Sequence, residues 1–506
     1  MKAPVPRRSV FAGFVLLSFF SLTPLLTAQK YVDLSWNPDN GQIAGYNIYR
    51  ADISGGPYSK LNASLNPVAS FTDTAVQPSH TYYYVTTAVN SQGQESGYSN
   101  ETQASLPGHE GGGHEQLLYV FGQQGEQGPV LPQAGLTFDK SGNLYGTSKS
   151  GGANNQGTVF QLAMGQNGWV ETVLYSFTGG TDGGQPIAEV AIDASGNLYG
   201  TTSAGGAGSC NGGCGTVFEL TPSSGSWTET VLYTFTGGSD GSQPYAGLVM
   251  DANGDLYGTT KSGGNSGSNC VTGCGVVFEL TPGSGTWTQS VLYSFAGGND
   301  GASPYDSLTF DAKGNLYGTT YSGGPYDSGT VFELSNSANG WTESVLRAFT
   351  GAADGSSPIG GVVFDAAGKL YGTAFQGGAL GYGVVFNLVP NSGGTWQENV
   401  LHSFGNSPAA NPSATLVFDG NGNLYGTTLA GASLASCQGG CGTLFELMPN
   451  ASGTWGFKTR HLFGRGEDGY HPSGRLIMNA TGTFYGTTQA GGAQNAGTLF
   501  EIAVKN

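Results

Sequence analysis

Five aspartates recur in one short pattern, Gly-x-Asp-Gly or a close variant, between successive repeats of this 506-residue chain. They are Asp182, Asp240, Asp300, Asp354 and Asp468. Carboxylate oxygens bind Ca2+ and accept hydrogen bonds from sugar hydroxyls, so a ring of them could hold a cation or a glycan. Asp-Gly is also a favourable turn sequence, so a purely structural role for these aspartates stays open.

Three tyrosines accompany the aspartates. Tyr245 and Tyr305 follow the prolines after two of them, and Tyr321 lies beside a Gly-Gly doublet. Aromatic rings stack on sugar faces while nearby polar groups bind the hydroxyls. Together these residues predict a binding site for a glycan or another cell-surface polymer, with calcium as a candidate ion.

Six cysteines form three Cys-x-x-x-Cys pairs in otherwise similar loops: Cys210–Cys214, Cys270–Cys274 and Cys437–Cys441. The repeats that carry them are the three longest, so each pair lies in a loop insertion. An even number of cysteines in an exported chain predicts three local disulfides. Binding of a metal by thiolates is the alternative, although each pair offers two ligands and no histidine accompanies it.

Catalytic motifs are absent from the sequence, which has no Gly-x-Ser-x-Gly, no His-Glu-x-x-His and no phosphate-binding loop. No catalytic residue is therefore predicted. A hydrolase or lyase that uses a pair of the repeated carboxylates on a polysaccharide remains an alternative. A structural surface protein is a third. The even spread of the repeats argues against one catalytic centre, because a centre usually breaks the symmetry.

The composition limits the fold and the partners. Glycine supplies 88 residues and charged side chains only 10%, where a soluble domain usually has about 7% glycine and about 25% charge. These values indicate many tight turns and few amphipathic helices. The net charge of −17 argues against nucleic acid as a partner, and the sequence leaves the oligomeric state open.

The N-terminus has the layout of a signal peptide. Lys2, Arg7 and Arg8 precede an uncharged, mostly apolar run, and small residues around Ala28 offer a cleavage site. Cleavage would leave residues 29–506, in which no stretch is long and apolar enough to span a bilayer. We expect a protein that is secreted or held at the cell surface.

Seven repeats of 54 to 60 residues carry these features. Each contains Leu-Tyr-Gly-Thr or a close variant, beginning at Leu144, Leu198, Leu256, Leu316, Leu370, Leu424 and Phe484. Apolar runs separated by Gly, Asn and Asp turns predict four strands per repeat, which is typical of a β-propeller blade. The last repeat lacks its fourth strand, and an unassigned strand, Gln116 to Phe121, precedes the first. We therefore predict an all-β, seven-bladed propeller over residues 116–506, closed by that N-terminal strand.

A second set of aspartates lies in the turn before each Leu-Tyr-Gly-Thr, and we predict that their carboxylates accept turn amides. They are Asp139, Asp193, Asp251, Asp311, Asp365 and Asp419, with Asn479 in the last copy. In a propeller built from four-stranded meanders these turns lie on one face. The Gly-x-Asp-Gly aspartates, the three tyrosines and the cysteine loops lie on the other face.

The repeats resemble the GloVer tandem repeat of exported bacterial proteins. The matching segments are the Gly-Asn-Leu-Tyr-Gly-Thr-Thr core from Gly314 to Thr320, the Gly323-Gly324 doublet, and Gly-Thr-Val-Phe-Glu-Leu from Gly329 to Leu334. The resemblance implies a location at the cell surface and no established activity.

Residues 30–106 resemble a fibronectin type III domain. Trp36, Tyr46-Asn-Ile-Tyr49, Tyr82, Tyr84 and Ala88 match the pattern of that family, with Thr86 where a valine is more usual. The resemblance implies a small β-sandwich that acts as a spacer or an adhesion unit. Residues 107–115 contain His109, Glu110, His114 and Glu115 among glycines, and we predict a flexible linker there.

Overall fold

The computed structural model of the chain describes residues 15–16, 32–36, 43–73, 75–76, 81–105, 113–122, 128–165, 168–267, 270–338, 340–432, 437, 439–465 and 468–504. All regular structure within these ranges is β, and the chain divides into two compact units, residues 1–110 and 111–506. The predicted leader lies outside the described residues except for Val15 and Leu16. No helix in the described part could cross a membrane.

The first unit contains two antiparallel sheets. Its strands are β1 (Val15–Leu16), β2 (Val32–Trp36), β3 (Ile43–Ala51), β4 (Ser59–Lys60), β5 (Ser70–Asp73), β6 (Thr81–Asn90) and β7 (Thr102–Ser105). One sheet has the order β1-β2-β5 and the other β4-β3-β6-β7. Alternate residues of these strands, including Trp36, Tyr46, Ile48 and Tyr84, form one buried cluster. The period-two pattern in the sequence arises because successive side chains of a strand point to opposite faces.

The second unit is built from short antiparallel strands. The first stretch contains β8 (Gly113–Val120), β9 (Pro129–Val130), β10 (Thr137–Phe138), β11 (Leu144–Ser148), β12 (Ser150–Gly151), β13 (Thr158–Gly165) and β14 (Gly168–Ser176). The second repeat contains β15 (Ala191–Ile192), β16 (Leu198–Thr202), β17 (Thr216–Ser223) and β18 (Ser226–Thr234). The third contains β19 (Val249–Met250), β20 (Leu256–Thr260), β21 (Val276–Pro282) and β22 (Trp287–Ser294).

The other four repeats follow the same plan. The fourth contains β23 (Ala302–Pro304), β24 (Thr309–Phe310), β25 (Leu316–Ser322), β26 (Thr330–Ser337) and β27 (Gly340–Ala348), and the fifth β28 (Val363–Phe364), β29 (Leu370–Ala374), β30 (Val384–Pro390) and β31 (Trp396–Ser403). The sixth contains β32 (Ala410–Pro412), β33 (Val417–Phe418), β34 (Leu424–Ala430), β35 (Thr443–Pro449) and β36 (Trp455–Leu462). The seventh contains β37 (Gly469–Pro472), β38 (Ile477–Met478), β39 (Thr483–Gly491) and β40 (Thr498–Val504).

Each repeat forms an antiparallel sheet in which the Leu-Tyr-Gly-Thr strand pairs with the next long strand, and in the first repeat β9 and β12 form a separate two-stranded sheet. In the fourth repeat, Gly318 lies opposite Phe332. A Cβ at Gly318 would come within 2.6 Å of the Phe332 ring, so the glycine leaves room for the phenylalanine that fills the core.

The strand that precedes the first repeat completes the last sheet. β8 pairs antiparallel with β40, from Val120 opposite Thr498 to Gly113 opposite Val504. The strand predicted from Gln116 therefore begins earlier, at Gly113. His114 and Glu115, which we predicted in a flexible linker, are strand residues because their backbone pairs with Ala503 and Ile502. This pairing covers the outer edge of β40, which would otherwise be unpaired.

Consecutive sheets pack on one another through buried clusters that draw residues from two neighbouring repeats. Phe278 of the third repeat packs with Phe235 of the second, for example. One cluster joins Tyr485 and Leu499 of the seventh repeat to Phe160 of the first. Two hydrogen bonds link the same pair of repeats: Leu131 N donates to Ala496 O at 2.9 Å and Thr487 Oγ1 donates to Ala134 O at 2.8 Å. The seventh repeat is thus packed against the first as any repeat is against the next.

Candidate functional site

A cavity of about 260 Å3 is lined by residues from all seven repeats, and we call it the central pocket. Most of its lining comes from the three residues that follow a proline at the start of each repeat, which we call the Pro-following segments. These segments are residues 133–135, 187–189, 245–247, 305–307, 359–361, 413–415 and 473–475. Leu429 and Gln489, which follow the Gly-Thr-Thr of their repeats, complete the lining.

Backbone geometry holds each Pro-following segment in place. The residue before the proline has a positive φ, as in Ser303 (φ 56°). The amide of this residue donates a hydrogen bond to the preceding repeat, as Ser303 N does to Cys274 O at 2.7 Å. Left-handed backbone costs energy for residues other than glycine, so tertiary contacts must stabilise it. The backbone of the site is therefore held in place by hydrogen bonds between neighbouring repeats.

Tyrosines and a lysine cluster beside the pocket on the third and fourth repeats. The ring centroids of Tyr245 and Tyr305 are 5.2 Å apart, and those of Tyr305 and Tyr321 are 6.0 Å apart. Lys261 Nζ lies 4.9 Å from the Tyr245 centroid and 5.1 Å from the Tyr305 centroid, within cation–π range. Burial lowers the pKa of Lys261. The structure thus brings together the three tyrosines named from the sequence and adds a cation to them.

Asp306, further along the fourth segment, has its carboxylate occupied by protein donors. Oδ2 accepts from Gly361 N at 2.6 Å and from Thr415 Oγ1 at 2.5 Å, and Oδ1 accepts from Ser307 N at 2.7 Å. These bonds tie the fourth, fifth and sixth repeats together. Asp306 therefore contributes negative charge to the pocket while most of its acceptor capacity is used.

Glu189 is the second carboxyl group of the pocket. Its Oε1 accepts a hydrogen bond from Ser307 Oγ at 3.0 Å, across the third repeat. Gly247 makes this contact possible, since a Cβ there would lie 2.9 Å from Ser307 Oγ and 3.0 Å from Glu189 Cδ. Burial and the charge of Asp306 raise the pKa of Glu189, while Arg475 opposes them. A protonated Glu189 could donate a hydrogen bond to a ligand.

The five Gly-x-Asp-Gly aspartates make turn contacts. Asp300 Oδ2 accepts from Ala296 N at 2.9 Å and from Tyr293 Oη at 2.9 Å. Asp182 and Asp240 repeat this arrangement with a tyrosine and a threonine, and Asp354 repeats it with Arg347 and Thr350. Asp468 Oδ2 lies 3.3 Å from His461 Nε2. None of the five lines the central pocket, so these contacts favour the turn interpretation.

The loop into the sixth repeat lacks this aspartate, and the tyrosine position at the end of the fifth repeat is a histidine. His402 occupies the position of Tyr293 in a copy without an acceptor, and its ring stacks on Phe457 with centroids 4.1 Å apart. Burial lowers the pKa of His402 to about 4. A neutral, stacked imidazole therefore replaces the hydrogen-bonded tyrosine.

The other aspartates and the cysteines lie as the sequence predicts. Asp311 Oδ1 accepts from the amides of Lys313 and Asn315 at 2.8 and 2.9 Å, as a turn residue should. The sulfurs of each cysteine pair lie at bonding distance, with Cα–Cα separations of 5.1, 5.1 and 5.4 Å. Within the described ranges, no three His, Cys, Asp or Glu side chains are close enough together to hold a metal ion. Calcium therefore stays a candidate ion that rests on the sequence alone.

Sequence reasoning missed Glu189, Asp306, Lys261 and Arg475. A signal for two of them, Glu189 and Arg475, existed in the alignment of the repeats. The third residue of the Pro-following segments is Gly135, Glu189, Gly247, Ser307, Gly361, Thr415 or Arg475. Positions that build every sheet are nearly invariant between copies, whereas this one differs in charge and size. Variation confined to one surface of a repeat protein indicates a specialised surface.

A second cavity, of about 730 Å3, lies between the fifth and sixth repeats, with Tyr371, Asn387, Asn399 and Trp455 in its lining. Asn399 Nδ2 donates to Asn387 Oδ1 at 2.9 Å. The position of Asn387 holds a longer glutamate or glutamine in the other repeats, such as Glu333 and Glu446. The shorter side chain accounts for part of this opening.

Comparison with known proteins identifies the repeats. The Gloeobacter/Verrucomicrobia repeat matches residues 71–309, 267–452 and 337–506. Amylopullulanases of Thermoanaerobacter thermohydrosulfuricus and Thermoanaerobacterium thermosulfurigenes are 41% and 40% identical over 73 residues, 14% of this chain. The chain spans only 5% and 4% of the length of those two relatives.

Two solved structures are similar to parts of the chain. An extracellular domain from B. thetaiotaomicron, assigned to a hybrid two component system, covers 94% of this chain and 52% of its own at 12% identity, with a TM-score of 0.51. At that identity the likeness concerns the fold alone. An Fn3-like protein from Clostridium thermocellum is 35% identical over 15% of this chain and 78% of its own, with a TM-score of 0.14.

Proposed function

We propose that this chain, which belongs to the Gloeobacter/Verrucomicrobia repeat family, is an exported, non-catalytic binding protein whose central pocket recognises a sugar unit of a glycan or cell-surface polymer. The observation that carries the proposal is the lining of that pocket. It combines two tyrosine rings in edge-to-face contact, Tyr245 and Tyr305, with a few convergent polar groups on hydrogen-bonded backbone, which is the usual make-up of a ligand site.

We further propose that the seven repeats form a closed seven-bladed β-propeller. Support comes from the pairing of β8 with β40 and from the buried cluster that joins the seventh repeat to the first. In such a wheel the Pro-following segments surround the axis. The central pocket would then be the one place where all seven blades contribute to a single ligand.

The first unit acts, in this proposal, as a fibronectin type III spacer that carries the binding unit at the cell surface. Its two sheets and its shared core around Trp36 and Tyr46 support the assignment. The leader-like N-terminus and the cysteine pairs at bonding distance support export, because disulfides persist in oxidising compartments.

The binding proposal is tested by co-sedimentation of the protein with a panel of insoluble polysaccharides. We expect saturable retention on at least one polymer without release of soluble sugar. Tyr305→Ala and Tyr245→Ala should each weaken retention about ten-fold, since one lost aromatic contact of about 1.4 kcal/mol corresponds to that factor. Tyr326→Ala, at a 62% exposed tyrosine outside the pocket lining, is the matched control.

Three outcomes would overturn the proposal. Retention on no polymer would contradict a binding function. Equal retention of all three variants would show that the pocket does not contribute to binding. Release of soluble oligosaccharides that stops in Glu189→Gln would instead indicate an enzyme that uses this carboxyl group as its acid.

A further inference from the structure

We infer that the sugar unit bound in the central pocket carries a carboxylate, so that the ligand is an acidic glycan. This inference rests on the proposed function and adds to it the chemical class of the ligand. Three observations support it: the distribution of charged residues around the pocket, two cations with no carboxylate within 4 Å among the described residues, and the hydrogen bonds between the pocket's own acids and protein donors.

Acidic residues are missing from two sets of equivalent positions in and beside the pocket, in a chain that is acidic overall. Acidic residues outnumber Lys and Arg by 34 to 17 in the sequence. The first residues of the Pro-following segments are Gln133, Ile187, Tyr245, Tyr305, Ile359, Ser413 and Ser473. The residues after the Gly-Thr-x triplets are Lys149, Ser203, Lys261, Tyr321, Phe375, Leu429 and Gln489. These fourteen positions hold two lysines and no acid.

Two cations, one beside the tyrosines and one in the pocket lining, are available to a ligand. Lys261 Nζ contacts the faces of Tyr245 and Tyr305, and Arg475 is an exposed residue in the pocket lining. Neither has a carboxylate within 4 Å among the described residues, whereas Arg347 has two and Arg460 has one. The faces of the two tyrosine rings attract the Lys261 ammonium group and so oppose the desolvation that lowers its pKa.

The two acids that line the pocket are both bonded to protein groups. Asp306 is bonded to three protein donors. Glu189 accepts from Ser307 Oγ, and burial and the charge of Asp306 raise its pKa, against the charge of Arg475. Ser413 Oγ, in the lining, is buried and has no hydrogen-bond partner in the described part of the chain. This hydroxyl can donate a hydrogen bond to an acceptor on the ligand.

The aromatic rings indicate why the anion should be attached to a sugar. An inorganic anion would gain little from tyrosine faces, whereas a pyranose ring stacks on them. A cavity of about 260 Å3 is smaller than the roughly 300–1,000 Å3 of sites for drug-sized ligands, so one sugar unit at a time is expected to enter.

The test compares each acidic polymer with its own neutral form. The intact protein is titrated with polygalacturonate, alginate and a glucuronate polymer, and with each polymer after chemical reduction of its carboxyl groups. We expect at least one acidic polymer to bind, with about ten-fold loss on reduction, the usual scale of one charge-assisted contact. Free galacturonate and glucuronate, added as competitors, distinguish recognition of a single unit from recognition of a polymer.

Variants connect the binding to the two cations. Lys261→Met and Arg475→Gln should each lower affinity for the acidic polymer about ten-fold and leave any binding of the reduced polymer unchanged. Lys313→Met, at an exposed turn far along the sheet from the pocket lining, removes the same charge and should change neither.

Two results would overturn the inference, and they differ in what they say of the proposed function. Equal binding of acidic and reduced polymers that still depends on Tyr305 would refute recognition of a carboxylate, and the proposed binding function would stand. Failure of every acidic polymer, together with failure of the neutral panel, would refute both.

Discussion

Tyr293 Oη donates a hydrogen bond of 2.9 Å to Asp300 Oδ2, which joins the end of one sheet to the loop that leads into the next. The same link recurs between Tyr175 and Asp182 and between Tyr233 and Asp240. Where the aspartate is absent, the donor is replaced by His402. The aspartates that looked like a ligand ring are thus one half of a repeated structural pair.

Removing this pair should lower stability and leave binding unchanged. Tyr293→Phe deletes one hydrogen bond to a charged acceptor, so we expect a loss of about 1.5 kcal/mol in the free energy of unfolding. Asp300→Asn should cost a similar amount, and the double variant should cost less than the sum. Denaturant titration measures all three. Unchanged stability in Tyr293→Phe, or lost retention on polysaccharide in Asp300→Asn, would contradict the structural assignment.

Glu343 should make the protein less stable as the pH rises. Burial, and then the charge of Asp300, raise the pKa of Glu343 to about 7, from about 4.3 in an unfolded chain. The folded state binds more protons between these values, so its stability falls from about pH 4.3 to pH 7 and is flat above. Glu343→Gln, neutral throughout, should stabilise the protein by about 1 kcal/mol at pH 8, a value reduced for partial exposure, and by nothing at pH 4.

The third repeat supplies the matched control for this pH effect. Gln289 occupies the position of Glu343, and its Nε2 donates to Asp240 O at 3.4 Å. Gln289→Glu should introduce the penalty at pH 8 that Glu343→Gln removes. Thermal unfolding at pH 4 and pH 8 measures both, and equal shifts at the two pH values would be incompatible with the raised pKa.

Two equivalent threonines should respond differently to loss of the hydroxyl. Thr201 Oγ1 donates to Ala246 O of the next repeat at 3.0 Å. Thr259 Oγ1, also buried, has no partner among the described residues. Thr201→Val should cost about 1–2 kcal/mol, because it strands a buried carbonyl, while Thr259→Val should be neutral or stabilising. Similar losses in the two variants, measured by chemical denaturation, would show that the inter-repeat bond does not matter.

Loss of β8 should destabilise the repeats as a whole. Deletion of residues 113–122 from the full chain removes Phe121 from a buried cluster and exposes the edge of β40. We expect a markedly lower unfolding temperature and self-association through the open edge. Deletion of 102–105, which removes β7 from the first unit, is the control and should leave unfolding of the repeats unchanged. Light scattering and calorimetry distinguish the two, and a monodisperse, equally stable 113–122 deletion would refute the closing role of this strand.

The repeat sequence was a good guide to local structure because its signals are local. Asp311 and Asn315 specify a turn because the Asn315 amide donates to the Asp311 carboxylate. Gly318 indicates a large side chain opposite it, because a Cβ there would meet the Phe332 ring. The strand missing from the last repeat and the extra one before the first could be matched by counting. None of these inferences required knowledge of which distant residues meet.

The sequence by itself determined the all-β repeats, the strand order within each sheet and the pairing of the two ends of the repeat region, since these follow from period-two patterns, turn chemistry and unpaired edges. Only the tertiary structure decided where the candidate site lies. Ser307 and Glu189 are 118 residues apart in the chain, and Thr415 and Asp306 are 109 apart. No local pattern encodes such contacts, because they arise when separate repeats bring equivalent positions to one pocket.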